Sequence, residues 1–293
     1  MSVSLFRVSL AIAALQLAGC HLRDRARAEA DVEYHDNLQY SPHSGGVLDL
    51  YKPRATTEKV PAFIFIHGGY WRNQSRGYYQ PFTGLYQNFG IALAKRGIAT
   101  AVIDYRLFPQ ANLSDQLADV AAAAAFIREK AALYGIDPQQ IFLGGHSAGG
   151  HLALMVLWGP NAATARGAVA LSPILDIAHM RASKDQEFNA SLTTPFFGKG
   201  ETDRQQSPAT HVRTGSPPAL LLFGEKDDDF LLQQRQKYLA EFAANNLQQV
   251  KFATIPGADH TTMVMHVNTE KDNISDAIAA FIKSQSGEIS HAK

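Results

Sequence analysis

Short, wholly apolar runs separated by segments of helical spacing recur along this chain and leave few folds open to it. Residues 62–66 (A-F-I-F-I), 98–103 (I-A-T-A-V-I), 141–144, Gly167–Leu171 and 219–223 show no polar alternation. A strand reads that way when both of its faces are covered, as inside a parallel sheet. Residues 47–51 (V-L-D-L-Y) alternate instead, like a half-buried strand, and Pro53 closes them. Val250–Ile255 reads as a further strand. Helical spacing marks residues 82–95, 113–134, Ala148–Trp158, 230–245 and 270–284, with Arg96-Gly97 and Gly135 as stops. Strand–helix alternation predicts an α/β fold with a mostly parallel sheet and helices on both faces. In such sheets active sites collect at the carboxyl ends of the strands. A 46% apolar content in 293 residues can fill one large core, expected over residues 36–286 as a single domain. Residues 172–218 break the rhythm and are expected to form an insertion that walls a substrate pocket.

The amino terminus reads differently. Arg7 precedes an apolar run over residues 8–18, too short for the roughly 20 residues of a membrane span and suited to a signal-peptide core. The run ends in Leu17-Ala18-Gly19-Cys20, and Cys20 is the only cysteine, so no intrachain disulfide can form. That tetrapeptide resembles the lipobox of bacterial lipoproteins, whose cysteine is lipidated and becomes the mature amino terminus. The expectation is a signal peptide over residues 1–19 and a charged, Ala-rich tether over residues 20–35. The protein would then be exported and lipid-anchored at Cys20, with no other membrane contact. His21 is not the aspartate associated with inner-membrane retention, which favours the outer membrane, facing the periplasm. Lys+Arg and Asp+Glu balance at 27 each with no basic cluster, so nucleic acid is not an expected partner.

Three stretches carry chemistry. Gly145-His146-Ser147-Ala148-Gly149 fits G-x-S-x-G between a strand and a helix, where a sharp turn lifts the Ser147 hydroxyl clear of the backbone. His67-Gly68-Gly69-Tyr70-Trp71 follows the strand at 62–66, and its glycines let main-chain amides approach a developing oxyanion. The expected donors are the amides of Gly69, Tyr70 and Ala148, with Gly68 an alternative. The rings of Tyr70 and Trp71 are expected to wall the pocket. In this strand–turn–helix arrangement acid and base follow the serine, acid first. His260 lies just after Val250–Ile255 and is the expected base. His151 sits four residues beyond Ser147 on the same helix, and His266 reads as a surface residue. Asp227, three residues after Gly224 and three before Phe230, is the expected acid, with Asp228 and Asp229 as helix-start charges. Arg106 is expected to form a structural ion pair that holds the glycine loop.

The H-G-G-Y-W and G-H-S-A-G motifs, with Asp104-Tyr105-Arg106-Leu107 and Pro109, resemble the hormone-sensitive-lipase-like esterases and the kynurenine formamidases. Ser207-Pro208, Pro217-Pro218, Gly224 with Asp227, and His260 look still more like the esterase family called BD-FAE. The resemblance runs over residues 48–282. It implies the α/β-hydrolase fold, a Ser147–Asp227–His260 triad, and no cofactor or metal. The expected activity is hydrolysis of small-molecule, short-chain acyl esters through an acyl-enzyme. The alternatives are an arylformamidase and a catalytically silent binding protein on the same fold. Tyr70 stands where lipase-like members carry a third glycine, which disfavours bulky alcohols.

Overall fold

A computed structural model describes residues 29–286 except Ser44, Ala55 and residues 80–82. The expected signal peptide, Cys20 and most of the expected tether lie outside the described residues. Among the described residues, eight strands form one sheet: β1 (Val32–Gln39), β2 (Val47–Pro53), β3 (Val60–Ile66), β4 (Ala99–Ile103), β5 (Ile136–His146), β6 (Gly167–Leu171), β7 (Ala219–Gly224) and β8 (Val250–Ile255). Their order is β1-β2-β4-β3-β5-β6-β7-β8. The pairs β1·β2 and β2·β4 are antiparallel, and every other pair is parallel.

Period-two alternation sorts the apolar runs between two cores. Ala62, Ile64 and Ile66 of β3 face helices Leu113–Glu129 and Ala148–Trp158, packing with Val120, Leu152 and Val156. Phe63 and Phe65 face the opposite side, with Phe89 from helix Gln87–Ala94 and Ile278 from helix Ile274–Gln285. Every residue of β4, β6 and β7 is buried, which is why those runs show no polar alternation. The predicted helix at 113–134 breaks at Lys130 into Leu113–Glu129 and Ala131–Tyr134. Asn112 and Asp115 cap its start reciprocally, and Gly135 ends it at φ 68°.

One boundary is corrected. Val32 to His35, read as the end of a tether, belong to β1. Val32 is fully buried, Tyr34 stacks on Tyr51 at 4.7 Å, and Arg54 donates to the carbonyls of Ala30 and Val32. The intervening charged residues of this edge strand hid its alternation.

Register decides where the functional residues gather. Ile66 lies opposite Gly145, Leu171 opposite His146 and Leu222, and Gly224 opposite Ile255. The segments leaving β3, β5, β6, β7 and β8 therefore emerge side by side at one edge of the sheet. Residues 172–218 contain short helices at Ile177–Ser183, Gln186–Phe188 and Thr194–Phe197. Arg181 pins this segment through two hydrogen bonds to Asp203 (2.7 and 2.8 Å), and Asp176 ties it to Lys237 and Tyr238 (2.7 Å each).

Candidate active site

Ser147 follows β5 directly and precedes helix Ala148–Trp158 with φ 56° and ψ −118°, a conformation few non-glycine residues adopt. The two motif glycines make it possible. A Cβ on Gly145 would lie 2.4 Å from the Ile66 carbonyl, and one on Gly149 only 2.1 Å from the same oxygen. Without side chains there, the turn closes against the end of β3 and sets Ser147 beside the glycine loop. A Cβ on Gly68 would itself reach the Ser147 Cβ at 3.5 Å.

Three consecutive residues of that loop have positive φ: Gly69 at 100°, Tyr70 at 55° and Trp71 at 60°. The Gly69 carbonyl accepts from the amides of Arg72 and Asn73 (3.2 and 2.9 Å), closing a tight turn that a Cβ on Gly69 would obstruct. The amides of Gly69, Tyr70 and Ala148 donate no hydrogen bond among the described residues. Below the loop, His67 stacks on Tyr105 at 4.4 Å, and the Tyr105 hydroxyl donates to the His67 carbonyl (3.2 Å).

Trp71 does not line the pocket, contrary to the sequence expectation. The run of positive φ turns its ring inward, where it is 0% exposed between Phe196 and Phe197. Its indole N–H donates to His151 Nδ1 (3.2 Å), and His151 Nε2–H donates to the Gln206 carbonyl (2.8 Å). Burial lowers the His151 pKa to about 4, so one neutral tautomer serves both bonds and ties the loop to the insertion. Sequence reasoning assigned His151 no part in this anchoring.

Asp227 is buried and His260 half-buried. His260 Nδ1–H donates to Asp227 Oδ1 (2.9 Å); a carboxylate can only accept, so this nitrogen carries the hydrogen. Asp227 Oδ1 also accepts from the Asp228 amide (3.1 Å), and Oδ2 accepts from the Gly224 amide (3.2 Å) and the Ser172 hydroxyl. Burial works to raise the Asp227 carboxyl, but the bonds from His260 and Ser172 outweigh it and hold the pKa below its ordinary value. Asp228 and Asp229 are exposed. The His260 backbone is fixed by His146, whose Nε2–H donates to the His260 carbonyl (2.9 Å). Burial, aided by the neighbouring His260, depresses His146 to about 3 and keeps it neutral. His266 lies apart, in a shallow cleft with Glu270 and Lys271.

Ser147 and His260 open into one cavity of about 460 Å³. Its walls are Tyr70, Tyr78, Tyr79 and Tyr86 on one side and Val264 and Met265 on the other. The described lining contains no Lys, Arg, Asp or Glu. The described wall residues thus come from segments 69–79, 83–86 and 260–265 rather than from the 172–218 insertion, whose Phe188 packs edge-on against Tyr70 (5.6 Å between rings). The tyrosine loop is secured by Arg76, whose guanidinium forms an ion pair with Asp49 and hydrogen bonds to Asp104 and Asn37. Arg106, expected to hold the glycine loop, pairs instead with Asp119 on helix Leu113–Glu129 (2.8 Å). A larger cleft of about 570 Å³, bordered by Asp176, Arg204 and Lys237, contains none of Ser147, Asp227 and His260.

A family model described as BD-FAE matches residues 48–241. Among curated relatives, the probable isoprenylcysteine alpha-carbonyl methylesterase ICMEL1 of Arabidopsis thaliana is 27% identical over 78% of this chain and 51% of its own length. The probable ICME of Oryza sativa subsp. japonica is 41% identical over 41% of this chain but only 27% of its own length. The chain thus spans about half or less of these methylesterases. A kynurenine formamidase of Salmo salar is 24% identical over 78% of this chain and 75% of its own. The solved structure of esterase B from Lactobacillus rhamnosis superimposes with a TM-score of 0.73 over 97% of both chains at 22% identity. A truncated carbohydrate esterase from gut microbiota does so with a TM-score of 0.74, covering 88% of this chain and 98% of its own, at 23% identity. These likenesses show the α/β-hydrolase fold.

Proposed function

The chain belongs to the BD-FAE family, and from that premise we propose that it is a serine carboxylic-ester hydrolase acting on short-chain acyl esters. The observation that carries the proposal is His260, hydrogen-bonded to the buried Asp227, opening with Ser147 into one cavity whose described lining has no Lys, Arg, Asp or Glu. Ser147 attacks the ester carbonyl while His260 Nε2 accepts its proton; Asp227 fixes the tautomer and stabilises the imidazolium. The amides of Gly69, Tyr70 and Ala148 receive the oxyanion. The imidazolium then protonates the departing alcohol, and water, activated by the same histidine, releases the acid from Ser147. No cofactor enters this scheme.

The cavity also supports this reading over an arylformamidase. N-formylkynurenine carries an α-carboxylate and an α-ammonium, and a desolvated charge needs a partner. The described lining supplies no Lys, Arg, Asp or Glu. A silent scaffold is opposed by the strained Ser147 turn, since backbone strain of about 1–3 kcal/mol persists where it has a use. The cavity's volume of about 460 Å³ lies towards the small end of the roughly 300–1,000 Å³ of small-molecule sites, which suits a small ester.

The test is a series of p-nitrophenyl esters beside N-formylkynurenine. The expected kcat/KM peaks at acyl chains of about two to four carbons, because a methylene that finds no room forfeits its transfer gain of about 0.8 kcal/mol. A rise continuing to octanoyl would refute the short-chain assignment, and preferred turnover of N-formylkynurenine would refute the ester assignment.

The proposal extends to location: a lipoprotein held by acyl chains on Cys20, probed in its native host. Support comes from topology. β1 runs parallel to β4, so Val32 lies at the amino ends of the parallel strands, opposite the edge that carries Ser147. A tether leaving Val32 therefore leaves from the pole opposite the cavity. Full-length protein is expected in the detergent phase on phase separation, and Cys20→Ser in the aqueous phase or unprocessed, because two or more acyl chains anchor stably. An unmodified Cys20 within an intact amino terminus, read by mass spectrometry, would remove the anchor.

A further inference from the structure

Among the described residues, nine non-glycine residues have positive φ. Three are asparagines (Asn37, Asn246 and Asn268), the residue type that tolerates this region best. The other six are Tyr70, Trp71, Gln74 and Tyr79 in the cavity loop, then Ser147 and Ser172. Ser147 and Ser172 occupy equivalent places, each the first residue after one of two adjacent strands, β5 and β6.

Ser172 is fully buried at φ 46°. Its backbone is pinned by the bond from its amide to the Leu222 carbonyl (2.7 Å). Its hydroxyl donates to Asp227 Oδ2. That leaves each oxygen of the carboxylate with two donors, His260 and the Asp228 amide on Oδ1, Ser172 and the Gly224 amide on Oδ2. Without the hydroxyl, Oδ2 would keep only the longer of its contacts, at 3.2 Å, and the carboxylate could rotate away from the imidazole.

We propose that Ser172 is a positioning residue for ester hydrolysis: its hydroxyl locks the Asp227 carboxylate in the orientation that presents Oδ1 to His260. The inference rests on the roles proposed above for Asp227 and His260. A purely structural role would be served better by glycine, which adopts positive φ without steric cost. The serine keeps a strained backbone, and the bond it gains from doing so goes to the acid.

Glycine also supplies the test, because it separates stability from function. Ser172→Gly should unfold near the wild-type temperature, the strain it loses offsetting the lost bond to Asp227. Its kcat should nevertheless fall about ten- to a hundred-fold, the range seen for partners that orient metal-ligating side chains, with KM within about two-fold. Ser172→Ala, which keeps the strain, should lose kcat equally. In an Asp227→Asn background Ser172→Gly should cause no further loss of kcat, because its effect passes through the carboxylate. A fluorophosphonate should label Ser147 in both wild type and Ser172→Gly, more slowly in the variant. Wild-type kcat in Ser172→Gly, or an undiminished loss in the Asp227→Asn background, would overturn the inference while Ser147 labelling leaves the triad reading standing. Failure of the probe to label Ser147 in the wild type would overturn that reading and the inference with it.

Discussion

Ser147→Ala is expected to lower kcat by about 10⁶ while leaving the fold intact, the scale seen when a serine hydrolase loses its nucleophile. What remains should be the catalysis of the oxyanion amides and binding alone, about 10³–10⁴ over water. Stability should hardly move. Alanine at 147 keeps the same Cβ and the same backbone strain, and the bond from the residue 147 amide to the Leu171 carbonyl (2.9 Å) does not involve the side chain. KM for a soluble ester should therefore stay near wild type, since the cavity walls are untouched. Steady-state kinetics with a short-chain p-nitrophenyl ester, beside labelling by a fluorophosphonate, reads both parts. Equal labelling of wild type and Ser147→Ala would move the nucleophile elsewhere, and a variant that fails to fold would show that the turn depends on the hydroxyl.

What could be read from the sequence follows from which physical effects act over short separations. A strand covered on both faces leaves an unbroken apolar run, so β3, β4, β6 and β7 were visible as such. The G-x-S-x-G turn is equally local, because its glycines are dictated by contacts with one neighbouring carbonyl. Trp71 was misplaced for the opposite reason. The direction of its ring depends on three successive positive φ angles, which no spacing rule reports. The insertion was expected to wall the cavity because it is polar and irregular, yet the wall is a tyrosine-rich loop that precedes helix Gln87–Ala94. Tyr78 and Tyr79 were the available signal, in a stretch without periodicity, while Tyr86 was read as part of the helix expected at 82–95, which begins only at Gln87. Ser172 had no sequence signal at all. Its partner is 55 residues away and meets it only because β6 and β7 are neighbours.

Asp227→Asn tests the other end of the hydrogen-bond chain and should cost up to about 10⁴ in kcat. The geometry explains the size. Oδ1 and Oδ2 each accept from two donors, so no edge of the group tolerates an N–H. An asparagine amide turned towards His260 would set donor against donor and favour the tautomer with its hydrogen on Nε2, which cannot accept a proton from Ser147. Turned the other way, it would confront the Ser172 hydroxyl and the Gly224 amide. Asp228→Asn and Asp229→Asn alter exposed side chains and should stay within about two- to three-fold of wild type, since surface substitutions outside such networks have small effects. The same change should alter acid stability. The Asp227 carboxyl is held below its ordinary value in the folded protein, so the unfolded chain binds the proton more readily. That contributes stability above the unfolded value of about 4, lost progressively as the pH falls through the folded one. Denaturant unfolding from pH 7 down to about 3 should show wild type losing more stability than Asp227→Asn over this range. Identical acid profiles, or a crippled Asp228→Asn beside an active Asp227→Asn, would assign the acid to the wrong residue.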